Sequence, residues 1–547
     1  MANLPGVYTL YKEKKPAVAV SNEPTTDEIL VFGTATDGPV LTPVTITRPA
    51  DGIATFGGFP VDGNGNPTVP VIDDCGSPLI TAAVNEAYYA GARRITCVRV
   101  SGVDASLEVK TAGGVTLFTA YGKFPGAKYN NVRMLVESNK LKVWNVADAL
   151  LLQTNSAKLP TFEYDLTVIT TLRDLATAIN ANQALGDLRI VVATGQENTA
   201  TLGLTTAVAT DGAATPADVA LTEGVTLLGG DDELTPELGT YLNTEGTGYG
   251  DGYRGMLARA YDLFFEYDAE LVIPLGVCIG FRGATPTYDK TDALELAKFC
   301  FEAAMRNNDI IGVIGVAPLS DTTLSGISAF CADLVAADNT YVVDGVDLGR
   351  YINIVVGEPV FNDTAFGGNY INLSPACYFG LASSLPVQSG TTNKVIANAV
   401  NLRYNFSPAQ TEALKDNKFT VLRYKVGRGV VVIEGLLASL ASSDFQALST
   451  VRIIHGMMKS VRSATDPFIG EPLDIPHVNS IETAIRDVIA TFAKNGAVTN
   501  GTFQLFFGGN NSIVGDIDVE LELEIPSELR RILVTVSRKF PNLTRQQ

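Results

Sequence analysis

The run Glu28-Ile29-Leu30-Val31-Phe32-Gly33 is apolar after its first residue and stops at a glycine, the pattern of a short strand buried on both faces. Gly38-Pro39-Val40 and Thr42-Pro43-Val44 punctuate the connection that follows. Apolar residues return at helical spacing over 79–89, with Gly91 placed as a C-cap, and 94–100 reads as a second strand. Strand, helix and strand in that order predict a parallel sheet. The texture then changes, from 112 to 224. Thr, Val, Ala and Gly dominate, turn signals are frequent, strands are predicted at 115–120, 132–137, 141–144 and 188–194, and one helix at 172–179. A doubly wound pattern resumes at Val225-Thr226-Leu227-Leu228. Helix 253–267 feeds strand 271–274, helix 293–305 feeds strand 310–316, and helix 324–336 feeds Tyr341-Val342-Val343. Beyond 392, helices are predicted at 408–416, 444–462 and 481–494. In the segment 516–525, Ile517, Val519, Leu521, Leu523 and Ile525 share one face, and Asp516, Asp518, Glu520, Glu522 and Glu524 the other, as in a half-buried strand. No short-period repeat is visible.

The two ends of the chain read as lone strands. Val7, Tyr8, Leu10 and Tyr11 follow Pro5-Gly6, and a basic break from Lys12 to Lys15 leads to a second run with Val18 and Val20. At the other end Ile532, Val534 and Val536 alternate with Leu533, Thr535 and Ser537. Terminal strands leave unpaired edges. They either pair within the fold or cross to neighbouring copies and link them through main-chain hydrogen bonds.

A length of 547 residues predicts about three or four domains. Apolar content of 46% and charged content of 18% describe a chain able to bury a large core. The net charge of −19 argues against a nucleic-acid partner and against anionic membrane surfaces. The first residues carry no apolar stretch of the kind a secretory leader needs, so none is expected. The longest apolar stretch, 271–281, is broken by Pro274 and Gly276 and is too short to span a bilayer, so direct membrane insertion is not expected. Cys75, Cys97, Cys278, Cys300, Cys331 and Cys377 include no CxxC pair and read as buried reduced thiols.

Motifs for catalysis are sparse. The only histidines, His455 and His477, lie outside the α/β pattern, no GxSxG elbow is present, and no P-loop occurs. Gly250-Asp251-Gly252-Tyr253-Arg254-Gly255 matches GxGxxG in letters, but a long polar loop separates it from any strand, so it reads as a loop and helix start. Asp62, Asn64, Asn66 and Asp73 echo a calcium loop, with Pro67 where glycine is needed and no closing glutamate, so they read as a surface turn. No catalytic residue, cofactor or metal is expected. Arg452, His455, Lys459 and Arg462 recur at helical steps and share one helix face, beside Ile454, Met458 and Val461. His455 reads as a surface residue. The stripe is either a solvated face or a docking surface for an acidic partner.

The chain resembles contractile tail sheath proteins of bacteriophages and related injection systems. The residues that carry the resemblance are Pro5-Gly6-Val7-Tyr8, Val31-Phe32-Gly33-Thr34-Ala35 with Gly38-Pro39, Phe56-Gly57, Gly91, Val98-Arg99-Val100, the turn Pro125-Gly126-Ala127-Lys128-Tyr129-Asn130-Asn131, Leu227-Leu228-Gly229-Gly230-Asp231, Leu422-Arg423-Tyr424, Gly427-Arg428-Gly429 and Val451-Arg452. Their order spans nearly the whole chain. It departs from the family pattern at 244–255 and 362–370, which read as surface insertions.

The resemblance implies a multidomain α/β fold. Its parts are an N-terminal linking arm (1–22), the first part of the core (23–111), an inserted β-sandwich (112–224), a central domain of subtilisin-like topology without catalysis (225–391), a tube-facing α/β domain (392–530) and a C-terminal linking strand (531–547). It implies a non-enzymatic structural subunit that polymerises with itself as a helical sleeve around a tail tube and contracts. Baseplate and tail terminator proteins would be further partners, in a virion tail assembled in the host cytoplasm. Arms carrying Val7, Tyr8, Leu10, Tyr11, Val18, Val20, Ile532, Val534 and Val536 would cross to neighbours. Arg452, His455, Lys459 and Arg462 would face the tube. The alternative from another class is a soluble α/β enzyme with an inserted β domain.

Overall fold

The computed structural model describes residues 28–72, 75–210, 218–241, 249–282, 287–472, 474–506 and 517–528. Both predicted arms, Val7 to Val20 and Ile532 to Val536, lie outside the described residues.

A mixed sheet runs through the centre. Its parallel strands, in chain order, are Glu28–Gly33, Arg94–Arg99, Leu271–Pro274, Ile311–Val316, Ile352–Val356 and Thr420–Lys425. Numbered in that sequence, they lie side by side as 2-1-3-4-5-6. The short strands Val44–Ile46 and Gly429–Val432 close the two edges antiparallel. The apolar run of the first strand explains its place: Ile29 and Val31 enter the core on one face, and Leu30 and Phe32 that on the other. Helices Ile80–Ala90 and Pro375–Ser384 cover the first face. Gly252–Phe264, Thr291–Met305 and Leu324–Ala336 cover the second.

Between the second and third parallel strands the chain builds two antiparallel sheets around one core of their own. One contains Ser106–Lys110, Thr116–Gly122, Leu188–Val192, Val208–Thr210 and Asp218–Ala220, and the other Arg133–Glu137, Lys140–Trp144, Phe162–Asp165 and Val225–Thr226. The chain enters and leaves this region side by side, with Val103 bridged to Asp231 and Ser106 to Leu228. Val225–Thr226 therefore ends the mainly β region, where the sequence pattern has it opening the central domain. A helix at Val146–Thr154 is also present, capped by Asn145, which accepts from the Asp148 amide at 2.9 Å.

Two further differences have plain causes. Val342–Val343 forms only a small hairpin with Val346–Asp347, and the sheet strand after the Leu324–Ala336 helix is Ile352–Val356. Val342 is exposed, whereas all five residues of Ile352–Val356 are buried, and burial selects the interior strand. The segment 362–370 has an exposed tip, at Thr364, Ala365 and Gly367, and is anchored by the buried Asp363 and Tyr370. It lies in the hairpin Pro359–Asp363/Gly368–Ile371, where Tyr370 packs on Phe59, Phe361 and Phe366.

The central sheet reaches Val432, beyond the expected boundary at 391. After it come the helices Leu448–Thr465 and Ile475–Lys494 and the hairpin Asn500–Phe506/Asp518–Glu524, which share a core cluster. Among the described residues no helix is long and apolar enough to cross a membrane.

Candidate functional site: two closed ends of the sheet and an open hairpin

In a doubly wound sheet the natural ligand crevice lies at the C-terminal ends of the strands, where the strand order reverses. Here that point falls between Glu28–Gly33 and Leu271–Pro274. It is filled. The segment Cys75–Pro78 crosses it, with the Thr34 amide donating to the Pro78 carbonyl at 2.8 Å and the Ser77 amide to Asn372 Oδ1 at 3.0 Å. Gly276, just past the third strand, has φ +68°, and a Cβ there would stand 2.7 Å from the Pro78 Cβ. A cavity of about 20 Å³ remains, room for one water.

Glu86 lines this cavity from the Ile80–Ala90 helix. Its Oε1 accepts from Tyr370 Oη at 3.0 Å and Asn372 Nδ2 at 2.9 Å, while Oε2 is buried without a hydrogen-bond partner. Burial, with a smaller push from Asp363, raises the Glu86 carboxyl to about 8. Asp363 itself is held by Asn85 Nδ2 at 2.6 Å and the Ala365 amide at 2.7 Å.

The cysteine reading needs correction at this place. Cys75 and Cys278 are joined by a disulfide, Cα to Cα 5.2 Å apart, while Cys97, Cys300, Cys331 and Cys377 are free and buried. The pair is 203 residues apart in sequence, and only the fold brings it together.

The GxGxxG letters do not form a phosphate cradle. The Tyr253 and Arg254 amides donate to the Glu237 and Leu238 carbonyls at 2.7 and 2.9 Å, and a Cβ on Gly255 would lie 1.7 Å from the Gly250 carbonyl oxygen. These glycines serve a backbone crossing. Asp62 accepts from the Asn64 and Asn66 amides at 2.8 and 2.9 Å, which closes a turn. Among the described residues no cluster of metal-ligating side chains occurs.

The opposite end of the sheet is closed by the Leu448–Thr465 helix. Arg452 is 1% exposed, pairs with Glu270, and donates to the Ala382 carbonyl at 2.7 Å. Arg462 donates to Asp309 Oδ2 at 2.6 Å and to the Asn307 carbonyl at 2.7 Å. Lys459 pairs with Asp268 at the surface. His455 is 3% exposed and lies against Tyr351, ring centroids 6.4 Å apart. Burial holds its imidazole below the ordinary value, against the pull of Asp309 and Glu270.

Asp268 and Glu270, Asn307 and Asp309, and Tyr351 each lie just before a parallel strand, and Ala382 belongs to the Pro375–Ser384 helix that covers the sheet. The stripe therefore does meet an acidic surface, but the surface belongs to the same chain. This corrects two expectations: His455 is not a surface residue, and Arg452, His455 and Arg462 do not face a tube. Helical period tells which residues share a face, not which way the face looks. The missed half was Asp268, Glu270 and Asp309, acidic residues next to apolar strand starts. The other sides of this helix are apolar, and Ile453, Met457 and Val461 pack on Ile485, Val488 and Phe492 of the Ile475–Lys494 helix.

The hairpin keeps the predicted alternation. Val519, Leu521 and Leu523 turn toward the helices, and Asp518, Glu520, Glu522 and Glu524 are exposed. Among the described residues its two strands pair only with each other, so each has an open edge. Past the hairpin, Glu528 accepts from Thr392 Oγ1 at 2.8 Å and from Ser449 in the first turn of the Leu448–Thr465 helix.

No protein-family profile matches the chain, and no curated protein matches it. Solved structures do. The chain is similar to the sheath tail protein Lin1278 of Listeria innocua, with a TM-score of 0.52, 14% identity, and 94% of this chain and 93% of that one covered. It is also similar to the sheath tail protein DSY3957 of Desulfitobacterium hafniense (TM-score 0.49, 13% identity, 91% and 93% covered). The helical sheath of the anti-feeding prophage in its contracted state gives a TM-score of 0.46 at 11% identity, over 98% of this chain and 100% of that one. The fold is thus shared from end to end with a sheath tail protein, at an identity that speaks for the fold alone.

Two stability measurements test this site. Truncating Arg452 to Ala leaves Glu270 buried and unpaired and is expected to cost ~3–5 kcal/mol in denaturant unfolding, whereas Lys459→Ala stays within ~1 kcal/mol. Similar small losses from both would refute the buried pairing. For Glu86 the folded carboxyl lies above its unfolded value of 4.5, at about 8. Its contribution is full below pH 4.5 and is lost as pH rises toward 8. Glu86→Gln should therefore raise the thermal midpoint at pH 8 relative to wild type, with the gain shrinking toward pH 4.5. A gain independent of pH would contradict this assignment.

Proposed function

We propose that this chain is a structural sheath subunit of a contractile tail or injection device, one of many copies stacked as a helical sleeve around an inner tube. The observation that carries the reading is the end-to-end sharing of fold with a sheath tail protein. Two features are in keeping with it. The crevice where an α/β enzyme would hold its substrate is filled by the chain's own Cys75–Pro78 segment. Among the described residues the hairpin strands pair only with each other, which leaves an edge on each suited to receive a further strand.

In this proposal the arms with Val7, Tyr8, Leu10, Tyr11, Val18 and Val20 and with Ile532, Val534 and Val536 cross between subunits and extend the hairpin Asn500–Phe506/Asp518–Glu524. Each main-chain hydrogen bond adds only about 1 kcal/mol net, but repetition in every subunit makes the lattice cooperative. The sleeve is assembled in an extended state, and contraction moves folded bodies while the strand links hold. The driving free energy comes from new contacts between subunits, without nucleotide hydrolysis. With the basic stripe turned inward, the surface left to an inner tube is the outer hairpin face with Glu520, Glu522 and Glu524 and the exposed side of the Ile475–Lys494 helix. Baseplate and terminator proteins would bound the sleeve, within a virion tail assembled in the host cytoplasm.

Negative-stain electron microscopy of the purified chain across a concentration series tests the proposal. Hollow cylinders of uniform width are expected, and discrete particles alone, even with an inner-tube protein added, would count against it. Deleting 1–22, or all residues after Glu528, is expected to leave a folded protein that no longer forms cylinders. Glu528 is retained because it anchors Thr392 and Ser449. Normal cylinders from both deletions would remove strand exchange from the account.

A further inference from the structure

The segment Cys75–Pro78 crosses the strand ends as a short buried strap. Its main-chain ties are the Cys75 amide to the Ile72 carbonyl at 2.7 Å, the Ile72 amide to the Gly76 carbonyl at 3.4 Å, the Thr34 amide to the Pro78 carbonyl, and the Ser77 amide to the Asn372 side chain. Its side-chain anchor is Cys75, which sits in a small apolar cluster with Cys278, Ala317 and Leu373. The two cysteines differ in how they are carried. Cys278 starts the strand Cys278–Arg282 and is paired in register with Gly315, so it is fixed in the sheet. Cys75 lies on a connection between helices, outside any helix or strand. Opening the bond would let Cys75 leave while Cys278 stays. Under that strap lies the Glu86 cavity, lined by Cys75 and Ser77 on one side and by Pro274, Gly276 and Asn372 on the other.

We propose that Cys75–Cys278 is a redox lock that fastens this strap over the strand ends and shields Glu86 from water. The exchange balances with a low-molecular-weight disulfide such as oxidised glutathione. The Cys75 thiolate attacks one glutathione sulfur, forms a mixed disulfide and releases one glutathione thiolate. The Cys278 thiolate then attacks the Cys75 sulfur and releases the second. The two protein thiols lose two electrons in total to the glutathione disulfide, and their two protons end on the two glutathione thiols. Reduction by glutathione runs the same steps in reverse. Because both cysteines are buried, exchange requires the strap to lift first, with Cys75 as the sulfur that reaches the reagent.

The lock couples two observables that are otherwise unrelated. With the strap closed, Glu86 stays desolvated and stability falls with rising pH between 4.5 and about 8. Glu86 faces Asp363 from the neighbouring hairpin, and the phenol of Tyr370 and the thiol of Cys377 lie in the same surroundings. Asp363 and Tyr370 are carried by the hairpin Pro359–Asp363/Gly368–Ile371 and Cys377 by the Pro375–Ser384 helix, all outside the strap. With the strap open, water reaches the carboxyl, and this pH dependence should fade.

The test uses the full-length protein equilibrated with oxidised or with reduced glutathione, and the variant Cys75→Ser. Thiols counted in denaturant should number four after oxidation, matching the four free cysteines, and all six after reduction. Hydrogen exchange at the amides of Cys75, Gly76, Ser77 and Leu79 should be at least tenfold faster in the reduced protein and in Cys75→Ser than in the oxidised protein. The fall of the thermal midpoint between pH 4.5 and 8 should be present in the oxidised protein and largely lost in the other two. Six thiols after oxidation would overturn the lock. So would unchanged strap exchange and an unchanged pH profile after verified reduction. These readouts do not depend on polymerisation, so they stand or fall separately from the sheath reading.

Discussion

A guanidinium and a carboxylate buried together, as Arg452 and Glu270 are, must satisfy each other or destabilise the fold. Arg452 reaches Glu270 only if the Leu448–Thr465 helix lies across the starting ends of the parallel strands. Arg462 and Asp309 repeat the condition nearly three turns further along. These pairs add less to net stability than their Coulomb attraction suggests, because both charges give up hydration. What they contribute is position. A purely apolar helix could slide or rotate on the sheet ends, whereas a helix with two buried charge pairs in register has one seat. Everything beyond it is placed through that seat, because the Ile475–Lys494 helix and the hairpin pack on its other sides.

The opposite end of the sheet obeys a different constraint. Carbonyls and amides at the strand ends, together with the turn Leu275-Gly276-Val277, would form an open crevice at the strand reversal. A protein that binds a small molecule leaves this crevice open. Here it is closed by the chain itself, with Gly276 keeping room for Pro78 and a disulfide fixing the closure. Both ends of the sheet are thus used for holding parts together. That suits the proposed structural role, and it gives Glu86 a physical reason to be buried. Its carboxyl joins the Ile80–Ala90 helix to Tyr370 and Asn372 of another segment, in a place where water would weaken the join.

Local signals carried most of the elements. The apolar run at Glu28–Gly33, the helix at Leu324–Ala336 and the helix at Pro408–Asp416, with Ser407 and Gln410 forming a capping box, were all legible because each is specified within its own window. The misses share a cause, which is that the deciding partner is distant. Val342–Val343 has the right composition for a strand and lost to Ile352–Val356, which has neighbours on both sides. Val225–Thr226 reads as the start of a new domain and instead finishes the previous one, because Met134 is its partner. His455 looks like a surface histidine until Tyr351 and the strand ends are placed around it. The stripe of Arg452, Lys459 and Arg462 was visible, but its acids lie roughly 150 to 190 residues away in sequence. No periodicity reaches that far.

The hairpin completes the mechanical argument. A two-stranded antiparallel sheet is marginal by itself, and this one is supported on a single face by Val519, Leu521 and Leu523 against the helices. Its other face is acidic and wet, and each strand still has one edge of amides and carbonyls without a partner among the described residues. A sheet edge transmits tension along the strand direction through hydrogen bonds in shear, while its side chains set only the register. Force applied there would pass through the Ile475–Lys494 helix to Leu448–Thr465, and from that helix into the strand starts through Arg452 and Arg462. The route consists of packed helices and buried charge pairs. A strand added to the hairpin would therefore pull on the central sheet as one body, as the proposed sleeve would require of its subunits.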